Sequence, residues 1–193
     1  SPNNPTGIIY NETTILKLAK ILEEKQTEFN HDIFIISDEP YREITFKGIK
    51  NPYISKYYKN TISCYSYSKS LSIPGERIGY LAANPECSNS ELISAICVQI
   101  SRGIGHNSPA SIIQRALLDV IDQTADLSVY ETNMNILYNE FIKLGFQCVK
   151  PDGTFYKFPQ SLEKDANIFC EKAKKYDLIF VPGDSFGCKG HFR

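Results

Sequence analysis

The sequence predicts an α/β protein, with a mostly parallel sheet layer followed by a smaller α+β lobe. Three observations carry that expectation. Apolar runs of strand length alternate with amphipathic helical stretches through the first half of the chain. The run Ile33-Phe34-Ile35-Ile36 is continuously apolar, as in a parallel strand buried on both faces. Near the carboxyl end the pattern changes to strand-like alternation around Asp152-Gly153, a hairpin signal, followed by one helix and one strand. At 193 residues and 42% hydrophobic, the chain can bury one domain or slightly more. Residues 1–110 are assigned to the large layer, 111–144 to a long connecting helical segment and 145–193 to the small lobe.

Taken in order, Ser1 to Gly7 is rich in turn formers, and Ile8-Ile9-Tyr10 follows as a short apolar segment. Asn11 is placed to cap a helix whose apolar face is Ile15, Leu18, Ala19 and Leu22. The apolar strand then ends at once in Ser37-Asp38-Glu39-Pro40-Tyr41, so a carboxylate stands where open α/β sheets place their ligands. Asn60 to Ser66 reads as the next strand and Arg77 to Ala82 as another, with Pro74-Gly75 blocking any helix between them. Ser90 to Ser101 reads as a helix. A longer helical pattern starts near Ser108-Pro109 and runs to Leu144, with Asp122-Gln123-Thr124 as a point of interruption. Helix Ala166 to Lys175 and strand Leu178 to Val181 come last.

Composition excludes several classes of function. Lys plus Arg total 21 against 22 Asp plus Glu, so no broad field favours nucleic acid or an anionic membrane. The six cysteines form no C-x-x-C pair and the three histidines show no ligand spacing, so no metal is expected. Scattered reduced thiols fit the cytoplasm. No 18-residue apolar run appears and no charged-then-apolar leader opens the chain, so neither a spanning helix nor a signal peptide is expected, and both ends of the chain read as cuts in a longer sequence.

The chemistry centres on residues 63–80, SCYSYSKSLSIPGERIGY, and within them on Lys69. An amine fixed in a tight turn among Ser66, Ser68, Ser70 and Ser72 suits a nucleophile that must be held in place. For a lone lysine the ordinary reading is an exposed charge. Other signals argue against it: Asn4 in Asn-Pro-Thr-Gly, Asp38 and Tyr41 at a strand end, Ser66 before Lys69, and Arg77 in Gly-Glu-Arg-Ile-Gly.

In this order and spacing the motifs N-P-T-G, S-D-E-x-Y, S-x-S-K and G-E-R-x-G resemble those of the class I and II aminotransferases, the fold-type I enzymes that use pyridoxal 5'-phosphate. The resemblance covers the whole chain and implies a large-domain sheet of that fold with part of its small domain. It also implies a missing amino-terminal half and extreme carboxyl terminus, a homodimer, and transfer of an amino group from an amino acid, with aspartate preferred, to a 2-oxo acid.

Roles follow residue by residue. Lys69 would form the internal aldimine and then move a proton between the substrate's α-carbon and the cofactor. Asp38 would pair with the pyridine nitrogen, Tyr41 and Asn4 would donate to the ring's phenolic oxygen, and Arg77 with Ser66 and Ser68 would hold the phosphate. Arg193, in a Phe-Arg pair after the P-G-x-x-F-G turn at Pro182 to Gly187, would take the substrate's α-carboxylate. Arg102 would reach the substrate of the partner subunit and take its distal carboxylate, against the simpler reading of a helix-end arginine. Two rivals stand beside transamination: a C–S lyase or decarboxylase of the same fold, and an aminotransferase-like sensor domain of a transcription regulator.

Overall fold

A computed structural model describes all 193 residues, which divide into two compact units. The first holds Ser1, Tyr10–Glu43 and Lys50–Ala125; the second holds Pro2–Ile9, Ile44–Ile49 and Asp126–Arg193. The division at 125 falls inside the segment read from sequence as a connector, and two early stretches belong to the later unit.

In the first unit, α1 spans Glu12–Phe29, and Asn11 caps it as expected, its Oδ1 accepting from the Thr14 N–H at 2.9 Å. Its Ile15 and Ala19 are buried. A three-stranded sheet follows in the order β1 (Ile35–Asp38), β2 (Thr61–Ser66), β3 (Gly79–Ala83). β1 and β2 are parallel, with Asp38 beside Cys64. β2 and β3 are antiparallel, with Ser66 beside Gly79. The sheet is therefore mixed. Side chains alternate between faces, so Ile36, Asp38, Cys64, Ser66 and Leu81 share one face. That face is open, with Ile36 71% and Leu81 56% exposed, although the apolar run had predicted burial on both sides. On the opposite face Tyr65 stacks with Tyr80 at 5.0 Å.

The stretch read as a lysine turn is instead one turn of helix, α2 (Tyr67–Ser70). Tyr65, Tyr67 and Ile78 form a core against which Leu71, Ile73, Ile113 and Leu117 pack. Helices α3 (Ser90–Gly103) and α4 (Ser111–Leu117) complete the unit. The helical pattern expected to run on to Leu144 breaks after α4 and resumes only at α5 (Ser128–Lys143) in the second unit. No helix is long and apolar enough to cross a membrane.

In the second unit, α6 (Ala166–Ala173) follows α5, capped by Asp165. Its core gathers Phe146, Cys170 and Phe192 with Phe141, Phe169 and Phe180 around them, the rings meeting mostly edge to face. The expected hairpin at Asp152-Gly153 does not form, because both N–H groups donate to the Gly7 carbonyl and Gly153 bridges Thr45. Nor does a strand form at 178–181; one bridge, Pro182 to Phe192, stands in its place.

Lys157 is an unusual member of this unit. It is 7% exposed, its Nζ has no hydrogen-bond partner, and it lies 4.5 Å from the Tyr138 ring centroid. Burial pushes its ammonium down to about 8, with Lys150 adding repulsion and Cys148 opposing both. Below pH 8 the folded state must hold the buried charge, so stability is reduced there. Between 8 and 10.5 only the unfolded chain retains the proton, so stability recovers as pH rises. Lys157→Met is thus expected to stabilise the protein by about 2 kcal/mol at pH 7. That advantage should shrink towards pH 10 in paired urea titrations; an equal gain at both pH values would rule out the buried charge as its source.

Candidate functional site

The carboxyl ends of β1 and β2 and the amino end of β3 lie at one end of the sheet, the position where open α/β sheets carry their ligands. Six predicted site residues lie at or just beyond that end: Asp38, Tyr41, Ser66, Ser68, Lys69 and Arg77. Asp38 closes β1, exposed, and the ladder continues past it because the Glu39 N–H donates to the Cys64 carbonyl at 2.8 Å. Ser66 ends β2 two residues beyond Cys64 and faces the same way as Asp38. Tyr41 is buried three residues after Asp38.

Ser66 also begins α2. Its Oγ accepts from the Ser68 N–H at 3.2 Å and donates to the Ser68 Oγ at 2.7 Å. With its hydrogen committed, Ser66 leaves Ser68 as the outward donor of the pair. Lys69, half-buried, follows within the same turn. The turn is held at both ends: the Tyr67 N–H donates to the Ile78 carbonyl at 3.2 Å and the Ala125 N–H to the Ser70 carbonyl at 2.7 Å.

Arg77 is exposed at the entry to β3, with φ +53, a left-handed conformation costing a non-glycine residue about 1 kcal/mol. Its Nη1 donates to the Pro74 carbonyl at 2.7 Å, which fixes the fork while using one of its five donors. Backbone strain of this kind concentrates at functional sites.

Beneath these residues lies a buried layer that the motifs did not reveal. Tyr65 Oη donates to Glu43 Oε2 at 2.8 Å and, its hydrogen spent, accepts from Ser70 Oγ at 2.9 Å. Burial, above all, pushes the Tyr65 phenol up; the Ser70 hydroxyl opposes this and the Glu43 carboxylate adds to it. The phenol therefore stays protonated and anchors the residue after Lys69. Beside it Glu39, 4% exposed, accepts from Ser37 Oγ at 2.7 Å and from Ser63 Oγ at 3.4 Å, and pairs with Arg42. The Arg42 guanidinium lies 3.7 Å from the Tyr53 ring centroid.

The donor set fits pyridoxal phosphate. A carboxylate suits a pyridine N–H, two linked hydroxyls and an arginine fork suit a phosphate, and an amine follows the second hydroxyl in the same turn of helix. Arg102 is not part of this group: it is exposed on the last turn of α3, the helix-end position.

Asn4 and Arg193 belong to the second unit, which brings them together: Arg193 Nη1 donates to Asn4 Oδ1 at 3.0 Å. The guanidinium also lies 4.6 Å from the Tyr156 ring and 4.9 Å from that of Phe186. Reciprocal backbone bonds with Val181, at 2.8 and 2.9 Å, hold Arg193 in place. Beside them is a cavity of about 550 Å³ whose walls include Asn4, Thr6, Phe158 and Phe186.

Comparisons with known proteins identify the family. The sequence profile of "Aminotransferase class I and II" matches residues 1–193. Aspartate aminotransferase of Bacillus subtilis is 31% identical over all of this chain and 50% of its own length. Aromatic-amino-acid aminotransferase 2 of Thermococcus litoralis is 28% identical over 98% of this chain and 49% of its own. Among solved structures, an amino transferase from Eubacterium rectale superposes with a TM-score of 0.94 at 48% identity, covering all of this chain and 48% of that one. Aspartate aminotransferase from Thermotoga maritima superposes with a TM-score of 0.81 at 26% identity, covering all of this chain and 49% of that one. The chain thus spans about half the length of the relatives it matches. With its whole length within the profile, the chain belongs to the class I and II aminotransferase family.

Proposed function

We propose that the protein is a pyridoxal-phosphate-dependent aminotransferase, moving an amino group from an amino acid, aspartate by preference, to a 2-oxo acid. One observation carries the reading: strand register sets Asp38, Ser66 and the entry to β3 at the same sheet end from which the Lys69 helix starts. When bound, pyridoxal phosphate supplies an aldehyde and an electron-withdrawing ring. The chain does the rest. Asp38 accepts from the pyridine N–H and keeps that proton in place, because a carboxylate there favours the charged ring. Ser68, backed by Ser66, and the Arg77 fork bind the phosphate. Tyr41 and Asn4 are assigned to the ring's phenolic oxygen. Lys69 Nζ takes the proton from the substrate's α-carbon and would deliver it to the cofactor's aldehyde carbon, and moves a proton in the opposite direction when the 2-oxo acid is aminated in the second half of the cycle. Arg193 binds the substrate carboxylate, its fork already oriented by Asn4 and two aromatic rings. The aspartate preference rests on the names of relatives such as those of Bacillus subtilis and Thermotoga maritima, with Arg102, which lies apart from this chain's own sheet-end group, as the candidate for the distal carboxylate of a substrate held by a partner subunit.

A homodimer and a cytoplasmic location complete the reading; the family resemblance supports the first and six free thiols the second. Reduction with borohydride in the presence of pyridoxal phosphate, followed by peptide mapping, tests the assignment. The label is expected on Lys69. A label confined to Lys174, or to any lysine other than Lys69, removes the basis of the proposal.

A further inference from the structure

We propose that Cys188 is a modification site, a thiol paired with an imidazole on a cavity wall, which takes small electrophiles bearing a carboxylate. Its Sγ lies 3.3 Å from His191 Nδ1, and both residues line the cavity of about 550 Å³ in the second unit. The same Nδ1 lies 3.2 Å from the Lys189 carbonyl, which can only accept. A proton on Nδ1 therefore faces two acceptors, the carbonyl and the sulfur, and the imidazole is placed to keep the proton that the thiol gives up.

The pair is rigidly mounted. The His191 ring stacks on Phe158 with centroids 5.2 Å apart and planes 16° from parallel. The Gly183 N–H donates to the His191 carbonyl at 2.6 Å and the Cys188 N–H to the Gly183 carbonyl at 2.9 Å. A Cβ at Gly183 would meet the Cys188 carbonyl at 2.2 Å, so the loop closes this tightly only around glycine. Four of the other five cysteines differ. Burial pushes the thiols of Cys64, Cys87, Cys148 and Cys170 up, and the contacts of Cys87 and Cys148 are to neighbouring carbonyls, which cannot take a proton.

Arg193 supplies the anion preference. Its guanidinium touches two cavity residues, Asn4 through a hydrogen bond and Phe186 through its ring. That preference rests on the reading of Arg193 as a carboxylate-binding residue, whereas the reactivity of the thiol does not. With an α,β-unsaturated carboxylate, a C–S bond forms at the β-carbon as the π bond breaks. The thiol's proton, passed through Nδ1, ends on the α-carbon, and no oxidant is needed.

Two alkylating probes test this, iodoacetamide and iodoacetate, in which sulfur displaces iodide from carbon and the thiol's proton leaves through the imidazole. Rates at each cysteine are read by peptide mass spectrometry on the folded protein. Cys188 is expected to react first with iodoacetamide, about tenfold faster than Cys97 or Cys148. His191→Phe keeps the ring stack on Phe158 but removes the base, and should slow Cys188 by about tenfold with an unchanged melting midpoint. Arg193→Leu should lower the iodoacetate-to-iodoacetamide rate ratio at Cys188, with Arg193→Gln as a second variant should leucine prevent folding. Equal rates at Cys188 and Cys148, or no slowing in His191→Phe, would overturn the thiol–imidazole pair. A fast Cys188 whose rate ratio ignores Arg193 would instead overturn the anion preference and count against the substrate role of Arg193.

Discussion

Lys69→Ala is expected to abolish amino-group transfer, lowering turnover by about 10⁴-fold, while leaving the fold intact. The size of the loss follows from the two assignments given to one amine, attachment of the cofactor and movement of the α-proton. The fold should survive because α2 is held by the backbone bonds at Tyr67 and Ala125 and by the Tyr65–Ser70 contact, none of which uses the Lys69 side chain. Lys174→Ala is the matched control, since Lys174 is an exposed lysine paired with Glu171 at 2.5 Å. Asp38→Asn should give a comparable loss by removing the charge opposite the pyridine N–H, and Asp38→Glu a smaller one. Transfer from aspartate to 2-oxoglutarate, followed in the presence of pyridoxal phosphate, measures all four variants. Retained activity in Lys69→Ala would refute the assignment.

Arg42→Met is expected to carry the largest stability cost, about 3–5 kcal/mol, the usual result of removing one partner of a buried ion pair. Glu39 would remain 4% exposed with only the Ser37 and Ser63 hydroxyls to satisfy its charge. Removing both charges with Glu39→Gln and Arg42→Met should recover much of the loss, since the uncompensated charge is the main cost. Urea titrations of the single and double variants measure the difference. A loss below about 1 kcal/mol in the single variant would mean that the pair behaves as a solvated one.

These two predictions come from different depths of information. The sequence singled out Lys69, Asp38, Ser66 and Arg77 because chemistry restricts the residue types that suit the roles proposed for them and because Gly, Pro or Ser punctuates the chain around each; what the structure adds is their position at one end of the sheet. Helix α1 was legible through Asn11 and its apolar periodicity. Glu39 and Arg42 were not, because nothing local distinguishes a buried charged pair from two solvated side chains; only the opposing strand, through Ser63, and the Tyr53 ring reveal it. Asp152-Gly153 has the composition of a hairpin turn, but the Gly7 carbonyl, far away in sequence, captures both amides. The helical pattern expected across 111–144 is interrupted between Leu117 and Ser128, a wider gap than the Asp122-Gln123-Thr124 break read from the sequence, and the chain passes there from one unit to the other. The open sheet face could not be foreseen, since a continuous apolar run records what a strand can bury and not what this length of chain provides to cover it.

Gly79 has a consequence for how the protein can vary. A methyl group at that position would come within 2.3 Å of the Tyr65 carbonyl and 3.2 Å of the Ser66 Cα, so even alanine would wedge β3 away from β2. Because Ser66 ends one of those strands and Arg77 introduces the other, such a wedge would separate the two grips assigned to the phosphate without altering either. Sequence drift or directed evolution can therefore exchange many letters around this sheet end, but the hydrogen atom that serves as residue 79's side chain is the narrowest gauge in it.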